Sequence, residues 1–172
     1  MDAKPQKSIL FVCLGNICRS PLAEGVFAAV LAEKGLSDRF QLDSAGTGGW
    51  HVGSAPDPRS IAIAASHDID ISRQKARKVT VDDFSRFDLV LGMDSSNVED
   101  LRQLAPATGR DRIHLFLEFA EGWPRDVPDP YYGGDDGFGA VYRTIREASD
   151  RLASRLAERM SLPESGQASS TT

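Results

Sequence analysis

Cys13 and Arg19 enclose five residues, Leu14, Gly15, Asn16, Ile17 and Cys18, and Ser20 and Pro21 follow directly. A thiolate is a strong nucleophile near neutral pH, and a guanidinium is the planar, bidentate partner of a tetrahedral oxyanion. A short loop between the two can curl its backbone N–H groups inward around one such anion. Gly15 suits a curled backbone, and Asn16 tolerates left-handed φ angles better than most residues. The chemistry this set offers is attack of sulfur on phosphorus in a bound phosphate ester. The spacing alone is a weak signal: a cysteine buried at a strand end and an arginine on the surface account for the same letters.

Cys18 supplies a second thiol. A structural zinc at Cys13 and Cys18 would need two more ligands from only three histidines, so no metal is expected. Two cysteines make no disulfide framework, and a bond between them would act as a switch. A reactive thiolate at Cys13 oxidises to a sulfenic acid that a nearby thiol can trap as a disulfide. Cys13 and Cys18 are therefore a candidate redox pair, although a Cys18 that merely packs the loop fits equally well.

The elements on either side must place this loop. "SILFVC" is an apolar, β-branched run typical of a strand buried on both faces, and it ends at Cys13. Ser20 and Pro21 form an N-cap and first-position signature for a helix whose apolar face is Leu22, Val26, Phe27, Val30 and Leu31. Further on, "FQLDSAG" reads as a strand, "DPRSIAIAASH" as a helix, "FDLVLGM" as a strand and "DSSNVEDLRQLA" as a helix capped by Asp94. "RIHLFLEF" reads as a fourth strand, and Phe138, Val141, Tyr142, Ile145, Leu152 and Leu156 mark a long last helix. The alternation predicts an α/β fold: an open parallel sheet of about four strands with helices on both faces, Rossmann-like in layout. In such sheets ligands sit beyond the carboxyl ends of the strands, and Cys13 lies at one. A helix N-terminus after the loop adds about half a positive charge there and favours Cys13 as thiolate; Ser20 is placed to hydrogen-bond the sulfur.

With 172 residues, 41% of them hydrophobic, the chain suits one domain at 8–160, after an N-terminal extension at 1–7 and before a disordered tail at 161–172. A net charge of -5 argues against a general nucleic-acid or membrane-surface binder. "ILFV" is too short for a signal or a membrane span, which points to a cytoplasmic protein, with secretion by a route needing no signal peptide left open, and a monomer is the default expectation.

"VCLGNICRSPLAEG" closely resembles the phosphate-binding loop of the low-molecular-weight protein tyrosine phosphatases. "SAGTGGWHVGSAPDPRS", "FDLVLGMDSSN" and "VPDPYYGG" follow in the family's order, so the resemblance spans about residues 8–158. It implies the phosphotyrosine phosphatase I-like fold and a metal-independent hydrolase without cofactor. Its substrate would be a tyrosine-phosphorylated protein, a tyrosine kinase or its targets included, and phosphate and vanadate would inhibit it. Cys13 and Arg19 are then catalytic, with Leu14, Gly15, Asn16, Ile17, Cys18 and Ser20 holding phosphate. Cleavage needs a proton donor for the leaving oxygen. Asp126 and Asp129 are both available, and the resemblance selects Asp129. Trp50, Tyr131 and Tyr132 are candidates for the cleft rim, and the resemblance implies aromatic walls from Trp50 and Tyr131; Trp50 also fits a residue capping the core. His51 is a candidate for substrate contact, while His67 and His114 fit surface or packing roles. Gln74 departs from the pattern, standing where some members carry a histidine that supports Asn16. Two related chemistries compete. Arsenate reduction commonly uses further cysteines, and none follows Cys18. The arginine phosphatases carry a threonine at the position of Ile17.

Overall fold

The computed structural model describes residues 6–130 and 135–162. Tyr131, Tyr132, most of the expected N-terminal extension and most of the expected tail lie outside the described residues. The first strand, β1 (Lys7–Cys13), alternates between two cores. Ile9, Phe11 and Cys13 join one, and Leu10 and Val12 join the other. That is the period of two of a strand covered on both sides.

β2 (Phe40–Gly46), β3 (Leu89–Gly92) and β4 (Ile113–Leu115) complete a parallel sheet of order β2-β1-β3-β4. The chain reverses its direction of travel beside β1, so the crevice at the carboxyl end of β1 is the topological switch point. The register aligns the strand ends, with Cys13 opposite Gly46 and Val12 opposite Gly92. Gly46 is required by close approach: a Cβ there would stand 2.8 Å from the Leu14 carbonyl oxygen and 3.1 Å from the Gly15 carbonyl carbon.

One face of the sheet carries α1 (Arg19–Glu33), which packs between the strands and the long α6 (Asp135–Arg159), with α2 (Pro58–Ala65) and α5 (Phe116–Glu121) alongside. Phe11 sits edge-on to Phe27 and to Phe116 and ties β1 to α1 and α5. The opposite face is covered by α3 (Asp83–Arg86) and α4 (Ser95–Leu104) through Phe84, Val98 and Leu101.

Two elements differ from the sequence expectation. The apolar run expected as one strand from Arg112 divides into a three-residue β4 and the helix α5. Phe116, Leu117 and Ala120 recur on one helical face, and Gly122, at φ 95°, ends the helix with a left-handed residue. The second difference is the start of α1. It begins at Arg19, with Cys18 in the cap position and no side-chain cap, whereas Ser20 was the expected cap. Ser20 Oγ is occupied elsewhere, as described next.

Candidate active site

The loop from Cys13 to Arg19 turns back on itself at Asn16, whose φ is 58°. This left-handed residue directs its side chain behind the loop. Asn16 Nδ2 donates to Ser20 Oγ at 2.8 Å and to Ser44 Oγ at 3.0 Å, and Asn16 Oδ1 accepts the Arg77 backbone N–H at 2.9 Å. Ser20 Oγ also lies 3.0 Å from Cys13 Sγ. The hydroxyl that local sequence assigns to a helix cap is therefore spent on the sulfur and on the loop. The N–H groups of Arg19 and Ser20 at the start of α1 have no side-chain cap, and Pro21 has none to offer.

Arg19 is 2% exposed, and three groups fix it. Asp94 Oδ2 accepts from Nη1 at 2.7 Å, the Val127 carbonyl accepts from the same nitrogen at 2.9 Å, and Asp129 Oδ2 stands 3.5 Å from Nη2. Asp94 performs two tasks. Its other oxygen accepts the Asn97 N–H at 2.8 Å, and Asn97 Oδ1 accepts the Asp94 N–H, a reciprocal capping box for α4.

These groups surround one cavity of about 320 Å³. The loop contributes Cys13, Leu14, Gly15, Ile17, Cys18 and Arg19; Trp50 and His51 come from the segment after β2, and Asp129 from the segment after α5. Of the residues expected to hold phosphate, Asn16 and Ser20 do not line the cavity: both are buried and brace the loop from behind. Asp126 is also set apart, its carboxylate accepting from the backbone N–H and hydroxyl of Ser95.

The profile of the low molecular weight phosphotyrosine protein phosphatase family matches residues 8–162. The chain belongs to this family. It is 44% identical over 151 residues to a low molecular weight phosphotyrosine protein phosphatase of Schizosaccharomyces pombe, covering 87% of this chain and 96% of that one. The protein tyrosine phosphatase of Entamoeba histolytica superposes with a TM-score of 0.85 at 35% identity, over 90% of this chain and 99% of the other. Wzb of Vibrio vulnificus, solved in complex with benzylphosphonate, gives 0.77 at 30% identity over 87% and 98%.

Within this family fold, Gln74 takes part in the support behind the loop. Gln74 Nε2 donates to the Pro21 carbonyl at 3.0 Å, and its Oε1 lies 3.5 Å from Ser44 Oγ, so it reaches Asn16 through Ser44. Burial, followed by the negative field of Asp57, pushes the Cys18 thiol up to about 12, and it is therefore a neutral thiol at physiological pH. The backbone N–H of Asp57 holds the Ile17 carbonyl at 2.7 Å, while its carboxylate caps α2 and pairs with Arg59. The Arg59 contacts hold that carboxyl below its ordinary range.

Sequence reasoning missed Ser44, Arg77 and the grip of Asp94 on Arg19. Only the last left a trace, since Asp94 follows the carboxyl end of a strand, as Cys13 does.

Proposed function

We propose that this chain is a metal-independent protein tyrosine phosphatase whose working domain is residues 8–160 and whose substrate is a tyrosine-phosphorylated protein. The observation that carries the reading is the meeting of Cys13, Arg19 and Asp129 on one cavity, with the arginine restrained by Asp94 and Val127. Arg19 Nη1 is engaged by those two acceptors, so its remaining edge is the one offered to the equatorial oxygens of a phosphoryl group. The Cys13 thiolate attacks phosphorus in line. The S–P bond forms as the bond from phosphorus to the tyrosyl oxygen breaks, and Asp129 delivers its proton to that oxygen. Water then attacks the phosphocysteine, gives a proton to the Asp129 carboxylate, and phosphate leaves as the thiolate is restored. Ser20 Oγ, 3.0 Å from Cys13 Sγ, stabilises the sulfur in both steps. An aryl ester is favoured by the apolar and aromatic lining of Leu14, Ile17 and Trp50. The benzylphosphonate held by a structural relative agrees with that choice.

The test is turnover of p-nitrophenyl phosphate and of a phosphotyrosyl peptide. Cys13→Ser abolishes it, and Asp129→Ala retains phosphate binding but slows the first step. Full activity in either variant overturns the mechanism.

A further inference from the structure

Trp50 is 73% exposed, yet its indole has a defined seat. A Cβ built on Gly48 would overlap the six-membered ring of the indole, and its three nearest atoms, Cζ3, Cε3 and Cη2, all belong to Trp50. The ring therefore lies against the bare Cα of Gly48. The seat is tied to the anion loop by two backbone hydrogen bonds, from Thr47 N to the Cys13 carbonyl at 3.0 Å and from Gly48 N to the Leu14 carbonyl at 2.9 Å. The indole thus rests against a backbone that is itself bonded to the anion loop, through Gly48 rather than through a packed surround. His51 repeats the arrangement on the loop, where a Cβ on Gly15 would stand 3.0 Å from its Cδ2.

We infer that Gly48 is a positioning residue: by letting the Trp50 indole lie against the backbone bonded to the anion loop, it sets the wall that an aryl leaving group meets. The inference rests on the proposed action on aryl phosphates. Gly48 is not among the glycines with positive φ, so its backbone accepts an L side chain without strain, and the collision an added methyl meets is with the movable indole. Gly48→Ala accordingly folds and displaces Trp50. A phosphate held on the loop amides and Arg19, as proposed above, would not touch the indole and is expected to be insensitive to the change.

The experiment uses the full chain carrying Trp123→Phe, which leaves Trp50 as its one tryptophan. Measurements are kcat/KM for a phosphotyrosyl peptide, the inhibition constant of orthovanadate, and acrylamide quenching of Trp50 emission. Gly48→Ala lowers kcat/KM about two- to tenfold, the range set by loss of one aromatic contact, leaves vanadate inhibition within about twofold, and raises the quenching constant. In a Trp50→Ala background the same glycine substitution has no effect on kcat/KM. An unchanged kcat/KM in Gly48→Ala, a loss that persists without Trp50, or unaltered quenching each overturns the inference. A wild-type chain inert towards aryl phosphates overturns the functional reading instead, and the quenching measurement still decides whether Gly48 seats the indole.

Discussion

Replacing Asp94 separates the two tasks of its carboxylate. Asp94→Asn keeps an oxygen for the Asn97 N–H, and with it a cap that contributes about 1 kcal/mol. It removes the charge that faces Arg19 at 2.7 Å. Breaking one side of a buried pair costs about 3–5 kcal/mol when the other charge is left uncompensated. The cost here falls below that range, because the Asp94 side chain is 21% exposed, the Val127 carbonyl stays on Nη1, and Asp129 stands 3.5 Å from Nη2. We expect about 2 kcal/mol for Asp94→Asn and about 3 kcal/mol for Asp94→Ala, the difference being the cap. Function follows from where the guanidinium goes. Without Asp94, Asp129 is the carboxyl that still stands beside the guanidinium, 3.5 Å from Nη2. Arg19 turns towards it, spoiling both its alignment on phosphate and the freedom of the acid. Loss of one charge-assisted hydrogen bond in the transition state lowers kcat about 10- to 100-fold. Urea unfolding and steady-state turnover of p-nitrophenyl phosphate measure the two effects on the same samples. If kcat stays within about twofold of wild type while stability falls, Asp94 is a cap and an ion pair with no hold on the chemistry. If the Asn and Ala variants are equally stable, the cap has been overvalued.

Two further predictions concern protons and oxidation. His114, half-buried and tilted against Phe119, titrates below the ordinary histidine range because of burial and the charge of Arg102. Its folded value is depressed, so the unfolded chain takes up the proton first. The stability this group contributes is present above about pH 6.5 and is lost as the pH falls below it. The urea midpoint of wild type therefore falls between pH 7 and pH 5 more steeply than that of His114→Gln, and parallel profiles would refute the assignment. For the redox pair, peroxide oxidises the Cys13 thiolate to a sulfenic acid, and the Cys18 thiolate then displaces hydroxide to form the disulfide. With Cys18 pushed up to about 12, its thiolate fraction rises about tenfold per pH unit below that value. Thiol-reversible recovery should accordingly favour wild type over Cys18→Ser more strongly at pH 8.5 than at pH 6.5. Equal recovery at both pH values counts against a resolving role.

Much of the fold was legible because its signals are local. The unbroken apolar run from Ile9 to Cys13 states a strand buried on both faces, and its residues do divide between the two cores. Asp94 heads an apolar-periodic stretch and caps it within three residues. The run from Phe116 was not legible as a helix, because a short apolar segment satisfies either period until its packing partners are known. The start of α1 failed for a related reason: Ser20 has the right neighbours for a cap, but a partner seven residues back, Cys13, claims its hydroxyl.

The sequence by itself determined the types and spacing of the loop residues, the four strands and the helices α1, α2, α4 and α6, and the family to which these motifs point. Each depends on contacts within a few positions or on periodicity along one element. Tertiary structure alone decided what holds those residues in place. Asp94 and Val127 reach Arg19 from 75 and 108 residues away, and Arg77 reaches Asn16 from 61. The first two do so because the order β2-β1-β3-β4 lays the end of β3, where the Val127 N–H bonds the Met93 carbonyl, beside the end of β1, and Arg77 does so because its segment pairs with Gly46 at the end of β2. The seat of Trp50 on Gly48 is of the same kind, since a side chain so exposed takes its position from the backbone surface it lands on, and no local propensity encodes that surface.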